Sequence, residues 1–486
     1  MLMGLLGILL ALALLIGMAY RGWSVLLLAP AAALVAAGVA GEPVLAHWTQ
    51  TFMPAAAGFL AQFFPIFLLG ALFGKLMDDS GSVRAISAFM AEKMGPRHAI
   101  LAVVLAGAFV TYGGVSLFVA FFVLAPMAHS LFKAANIPNH LMPAAIVLGT
   151  STFTMSALPG TPSIQNAIPM PFFGTTPFAA PGLGVIASLI MMGFGMWWLG
   201  RAEAGARRAG VGYEEVSAAT HEKAADDALV RERAVASHEF DPQEMGHGKR
   251  SAELPAVWAA ALPLVVVVAV NLVMSFWVLP RMDVAFLQEP QWGQTTLAGV
   301  GGVWSVVVAL AVAIVLVIVL NWSRLTNLRD SMDAGANASA LPALSVASLV
   351  GFGGVVAALP AFAMVKAWVL GIEGGPLVSL AISTNVLAAL TGSASGGLTI
   401  ALEALGSTYM QLAYELGIDP SLMHRVAVIG AGTLDSRPHN GAVVTLLAVC
   451  GSTHRKSYFD IVVVGIIGPI LALVAVIVLG TAFGSF

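Results

Sequence analysis

Eight stretches of this chain run for roughly twenty residues with almost no charge, at about 2–20, 23–41, 53–76, 180–199, 255–280, 298–320, 343–370 and 458–482. A helix needs about 20 apolar residues to cross the hydrocarbon of a bilayer, so each run is a candidate span. In lipid the backbone must satisfy its own hydrogen bonds, which leaves helices or closed barrels. The runs lack the alternating pattern of a barrel strand, so the expected class is an all-α polytopic membrane protein. Charged residues make up 10% of the 486, against about 25% in a soluble protein, and the mean hydropathy is +0.91. The first run has no basic residue ahead of it and no small-residue cleavage site before Arg21, and reads as a span rather than a signal peptide. The single cysteine, Cys450, excludes an internal disulfide or a cysteine metal cluster.

Charge then divides the chain. Residues 201–254 hold 8 of the 22 Lys and Arg and 11 of the 25 acids, with no apolar run, and read as a solvated linker between two membrane halves. With this linker cytoplasmic and 98–131 and 376–413 drawn as hairpins that re-enter on one side, 18 of the 22 basic residues fall inside, as the positive-inside bias requires. The resulting expectation is ten spans plus two hairpins, with both termini outside. In domain terms, 1–52 and 255–341 are scaffold helices and 200–254 is the linker. Residues 53–199 form a first repeat (hairpin 98–131, broken helix 141–175), and 342–486 a second, inverted one (hairpin 376–413, broken helix 421–450).

The halves read as copies. At a constant shift of 281, Leu117–Gly160 and Leu398–Gly441 share 11 identities in 44 positions, including Leu141 with Leu422, Gly149 with Gly430 and Thr152 with Thr433. Inverted repeats with interrupted helices are the sequence mark of secondary transporters, whose sites lie near the midplane. Each copy has a Gly-rich hairpin tip, TYGGVS or TGSASGG, and a later break, SALPGTPSIQN or LDSRPHNG. Proline removes a donor and glycine permits non-helical angles, so the breaks free peptide groups. Freed groups survive at membrane depth only where protein or a watery cavity satisfies them. The candidate substrate site is therefore Gly113, Gly114, Ser116, Thr154, Ser156, Gly160, Thr161, Asn166, Ser393, Ser395, Gly396, Ser436, Arg437 and Asn440, with Ser163 and Gln165 beside them. Half-helix N-termini there expose N–H groups that suit a carboxylate.

The stretches ALPGTPSIQNAIP, TGSASGGLTIALEALG, LDSRPHNGAVVTLLAVCG and FLLGALFGKLMDDSG together resemble the gluconate permease family, and more closely its hydroxybutyrate permease-like branch. The resemblance implies the ion transporter superfamily fold: a homodimer with a scaffold and a transport domain of hairpins and broken helices that moves as an elevator. It also implies proton-coupled uptake, across the bacterial inner membrane, of small hydroxy acids such as gluconate or 3-hydroxybutyrate. The HPxP-type loop of better-studied gluconate members is absent, and Arg437 stands where an apolar residue is expected.

Ionisable residues at membrane depth are expensive and usually functional. Asp435 and His439 are the expected proton-coupling pair, since imidazole titrates near neutral pH. A neutral His439 bonded to a freed carbonyl is the alternative. Arg437 either clamps the substrate carboxylate with its planar fork or pairs with Asp435. Glu403 would carry a proton if buried and otherwise pairs with a neighbouring helix. His424 and Arg425 read as an interfacial anchor near the outer surface, Asp78 and Asp79 beside Gly81 as a solvated turn, and the tryptophans at span ends as an aromatic belt. No cofactor, metal or nucleic-acid partner is expected, only an organic anion, the bilayer and a second copy. Sodium coupling stays open because freed carbonyls coordinate sodium as readily. An anion channel and an intramembrane enzyme built on Ser436 or Ser395 with His439 are the other classes. Neither a GxSxG elbow nor an HExxH helix supports the enzyme.

Overall fold

The structure is a computed structural model that describes residues 2–19, 21, 23–214, 240–438 and 440–486. His439 and residues 215–239 of the linker lie outside the described residues. Among those described, all regular structure is helical. Eight helices are long and apolar enough to cross a membrane, or nine if one bent pair counts as a span.

The first half comprises α1 (Leu2–Ala19), α2 (Val25–Ala40), α3 (Val44–Asp79), α4 (Ser82–Met94), α5 (Ala99–Tyr112) and α6 (Leu117–Ala135). After these come the short α7 (Met142–Thr150), α8 (Phe153–Ser156), α9 (Ile164–Ala167) and α10 (Pro169–Phe173), then the long α11 (Pro181–Arg208). The second half comprises α12 (Val257–Arg281), α13 (Leu297–Leu320), α14 (Leu328–Ala358), α15 (Phe362–Leu370), α16 (Gly375–Thr391) and α17 (Ala394–Leu416). It ends with α18 (Pro420–Thr433), α19 (Gly441–Val449) and α20 (His454–Phe483).

The span expected at 343–370 lies instead at 328–358. Leu359 is extended (φ −70°, ψ 137°) because the following Pro360 disfavours helical angles in its predecessor, and α15 starts afresh beyond it. Helices α3 and α14 form the most extensive pair in the fold. They approach closely because α14 presents small residues: a Cβ at Gly335 would lie 2.9 Å from the Leu72 backbone, and one at Gly354 would lie 2.9 Å from Ala55. With no hydrophobic force between helices in lipid, such close packing is what holds a pair together.

Two three-helix sets share one arrangement. Helix α5 packs on α6 and α7, and α16 packs on α17 and α18. In each set one glycine allows the half-helix to touch the outgoing hairpin arm: a Cβ at Gly149 would sit 2.4 Å from the Val104 carbonyl, and one at Gly430 would sit 2.4 Å from Thr384 Oγ1. These glycines are 281 residues apart, the shift that aligns the sequences.

The described ends of the linker touch the membrane helices, exposed at Glu214 and buried at Phe240 and Asp241. Tyr213 N–H donates to Asn136 Oδ1 at the end of α6, and Lys456 of α20 holds Glu214 at 2.8 Å. Beyond the linker's middle, Phe240 and Asp241 are buried, and Asp241 N–H donates to the Ala338 carbonyl of α14. This docking overturns the solvated turn expected at Asp78 and Asp79. Both carboxylates are buried because residues 245–251 fold over them, Asp79 bonding Lys75 (2.8 Å) and Ser331 (2.6 Å), and Asp78 bonding Arg250 (2.8 Å).

Candidate functional site

The first hairpin turns at Gly113–Ser116. Gly114 has φ +99°, and a Cβ there would lie 2.9 Å from Pro162, so this tip rests on the first break. Ser116 caps α6 by accepting from Phe118 N–H. Between tip and break lies a cavity of about 30 Å³ lined by Thr111, Gly114, Ser116, Met155 and Ser163, with Leu310 of α13 closing one side. It has room for a water molecule or two. Gly113 does not face it but packs on Leu264 of α12.

The break itself runs from Ala157 to Pro162, and its freed carbonyls are met by side chains from four other places. Tyr112 Oη donates to Pro159 O (2.7 Å), and Asn271 Nδ2 of α12 donates to Gly160 O (3.1 Å). Asn166 Nδ2 donates to Thr161 O and to Pro177 O, both at 3.0 Å. Arg425 of α18 donates through Nη1 to Ser156 O (3.2 Å) and through Nε and Nη2 to Ala179 O (3.1 and 2.6 Å). His424 bonds Thr175 (2.7 Å) and Asn166 Oδ1 (3.1 Å).

His424 and Arg425 are therefore not an interfacial anchor. Both are wholly buried, because the start of α18 inserts into the break made by the other half of the chain. No carboxylate pairs with Arg425 among the described residues; carbonyl and amide oxygens alone hold it. Asn166, expected to greet the substrate, is turned inward: both its amide donors and its oxygen are engaged by the break, His424 and Arg425. Thr154 donates back to the Gly149 and Thr150 carbonyls, and Ser156 Oγ to the Thr152 carbonyl. Three buried oxygens around this break, Thr161 Oγ1, Gln165 Oε1 and Asn271 Oδ1, have no partner among the described residues.

The second tip and break also meet. Gly392 turns the chain at φ +68°, and Ser393 caps α17 by accepting from Gly396 N–H (3.1 Å), with Ser395 Oγ 3.2 Å from Ser393 Oγ. Asp435 Oδ1 accepts from Ala394 N–H (3.0 Å) and from Asn440 Nδ2 (2.9 Å), so this carboxylate sits on the N-terminus of α17. Asn440 also holds Gly392 O, and Asn440 Oδ1 caps α19 by accepting from Ala442 N–H. Arg437 donates to Ala389 O (2.8 Å) and makes no ion pair with Asp435. Ser436 is buried, its carbonyl held by Tyr458. Glu403 lies at the surface of the single chain on α17 and makes no ion pair among the described residues.

The sequence reading missed Tyr112, Asn271, His424 and Arg425. A lone amide inside VVVVAVNLV was the available signal for Asn271, and an adjacent His–Arg pair opening an apolar half-helix was the signal for the other two.

Comparison with known proteins places this geometry. Residues 1–172 match the family described as GntP family permease. YxjC, an uncharacterized transporter of Bacillus subtilis (strain 168), is 39% identical over 477 residues, covering 96% of this chain and 98% of that one. The crystal structure of the YdaH transporter of Alcanivorax borkumensis, whose topology is described as unusual, aligns with a TM-score of 0.54 over 88% of each chain at 17% identity, a likeness of fold alone. A relative of that identity along almost the whole length, together with the match over the first hairpin and break, shows that the chain belongs to the GntP permease family of secondary transporters.

Proposed function

We propose that the protein takes up a small organic hydroxy acid, such as gluconate or 3-hydroxybutyrate, across the bacterial inner membrane as a proton-coupled symporter. The observation that carries the anion reading is the imbalance at the first break. A buried guanidinium and the N-terminus of α6 bring positive potential there, and among the described residues no acid answers either. The substrate carboxylate would complete that charge, and the unpartnered oxygens of Thr161, Gln165 and Asn271 would accept its hydroxyl protons.

A cavity of about 30 Å³ does not hold such an acid, so the first tip must draw away from Pro162 to load it. The hairpins and breaks would then move as one body against α3, α13 and α14, in a homodimeric elevator. Protonation at Asp435 or His439 would favour the loaded state. Linkage then makes affinity rise as pH falls through the carrier's pKa, with a reciprocal effect of substrate on proton binding. A sodium-coupled version is favoured by one observation, the same three unpartnered oxygens, which match the hard donors a sodium ion takes.

Proteoliposomes given proton and sodium gradients in turn, with gluconate, 3-hydroxybutyrate, lactate and citrate, test this. Proton-driven accumulation that Asp435→Asn or His439→Gln abolishes is expected. Full proton-driven accumulation in both variants removes the coupling assignment. Accumulation driven by sodium alone moves coupling to the first break, and equilibration without accumulation makes the protein a channel.

A further inference from the structure

Beside the second hairpin, α1, α14 and α15 leave a gap against α16 and α17. It is a cavity of about 530 Å³ whose wall takes Leu12, Phe352, Met364, Leu390 and Ile400 from the five helices in turn. Among the described residues no charged side chain lines it, and the hydroxyls of Ser383 and Thr391 are its polar lining.

Both hydroxyls are already engaged. Ser383 Oγ donates to the Leu380 carbonyl (3.0 Å) and lies 3.2 Å from Tyr409 Oη, and Thr391 Oγ1 donates to the Leu387 and Ser393 carbonyls (2.9 and 3.1 Å). A buried water needs about two to four polar partners, so nothing here would hold one. Left empty, a space of this size forfeits dispersion contacts along its whole wall. Hydrocarbon is the occupant that suits it.

Shape narrows the choice. Along α16 the wall runs from Ile382 to Thr391, a rise of about 14 Å, roughly half the ~30 Å hydrocarbon of a bilayer. Spread over that depth, the volume gives a mean cross-section of about 40 Å², about half that of a helix ~10 Å across. A helix of a second copy does not fit, whereas an extended chain does. The cavity opens sideways past Leu9, Ile382 and Val386, all exposed.

Its mouth has a polar end. Helix α15 leads directly into the start of α16, at the end of the hairpin away from the tip, and carries Trp368, 66% exposed, as helices at the lipid–water boundary do. Lys366 lies four residues after Phe362 and three before Val369, both of the wall, so the three share one flank of α15. It is half-buried and pairs with no acid among the described residues. Such a side chain rests its stem on apolar surface and presents its ammonium at the polar boundary.

We infer that the cavity binds one acyl chain of a phospholipid, drawn from the leaflet that the second hairpin enters, with the lipid phosphate on Lys366. The chain completes the wall between the hairpin and α1 and α14, so this lipid is a component of the fold rather than passing solvent. The inference does not rest on the transport reading, because it draws on no residue assigned to substrate or coupling.

Native mass spectrometry of the full chain in detergent, titrated with dioleoyl phosphatidylglycerol, tests it. One lipid per chain is expected to survive removal of the detergent. Ala404→Phe and Val386→Phe, which put a ring into the cavity and its mouth, should each weaken binding at least tenfold. Lys366→Gln should weaken the phospholipid at least tenfold and leave hexadecanol, a chain without a phosphate, unchanged. No retained lipid overturns the site, as does an unchanged Kd in both ring variants. An unchanged Kd in Lys366→Gln overturns the phosphate contact. A dimer that added lipid splits would make a second copy the occupant and overturn the lipid. Should Ala404→Phe fail to give a monodisperse protein, Val386→Phe decides, since its side chain already faces outward.

Discussion

The two tips solve one electrostatic problem in opposite ways. Each return arm of a hairpin starts in the middle of the molecule with unpaired N–H groups and a positive dipole end. At the second tip the chain supplies its own anion, Asp435, clamped between Ala394 N–H and Asn440. At the first tip only the neutral Ser116 caps the helix, and the residue 281 positions before Asp435 is Thr154, whose hydroxyl turns back to the Gly149 and Thr150 carbonyls at the end of α7. The first break adds a buried cation, Arg425, instead of an acid. One end of the pair is electrostatically closed and the other open, which is why the anion is assigned to the first tip and coupling to the second.

Three substitutions would break or sharpen this contrast. The largest effect is expected from Arg425→Gln, which leaves the Ser156 and Ala179 carbonyls without donors at a cost of about 2–5 kcal/mol. Uptake should vanish and the melting temperature in detergent should fall clearly. Lysine should not rescue it, because a point charge cannot reach acceptors spread around a planar fork. Normal uptake in either variant would remove Arg425 from the site.

Next comes Ser116→Asp, which gives the first tip the anion that the second already has. Aspartate caps helices as well as serine does, so thermal stability should hold or rise. The KM for uptake should increase at least tenfold, about 1.4 kcal/mol, because the substrate carboxylate now meets a resident one. An unchanged KM would mean that the two tips are not the electrostatic opposites described. The smallest effect is expected from Asn271→Leu, which orphans the Gly160 carbonyl for about 1–3 kcal/mol and removes one unpartnered oxygen. Loss of sodium dependence with proton dependence intact, measured in the same liposomes, would locate a cation there.

Much of this was legible in the chain. The helical class follows from the long apolar runs, and both breaks are announced by their prolines and glycines, because backbone constraints are local. What crosses between the halves was not. Arg425 looked like a surface anchor since its neighbours, Asp419 and Pro420, are those of an exposed helix start, while its true partners, Ser156, Asn166 and Ala179, lie about 250 residues earlier. Asp78 and Asp79 looked solvated for the same reason: Arg250 and Ser331, which bury and satisfy them, come from a linker and a helix far along the chain. The linker's charge marked it as polar, but polarity alone does not distinguish a strap that docks from one that floats.

The insertion of α18 into the first break also bears on how the protein is made. Until residues 424 and 425 emerge and insert, the carbonyls of Ser156 and Ala179 and the side-chain oxygen of Asn166 lack their partners in a medium where each unsatisfied group costs several kcal/mol. The first half therefore enters the bilayer as an unfinished lock whose key is translated in the second half. Quality-control proteases should remove that half when it is made alone, and supplying the second half from a separate message should protect it.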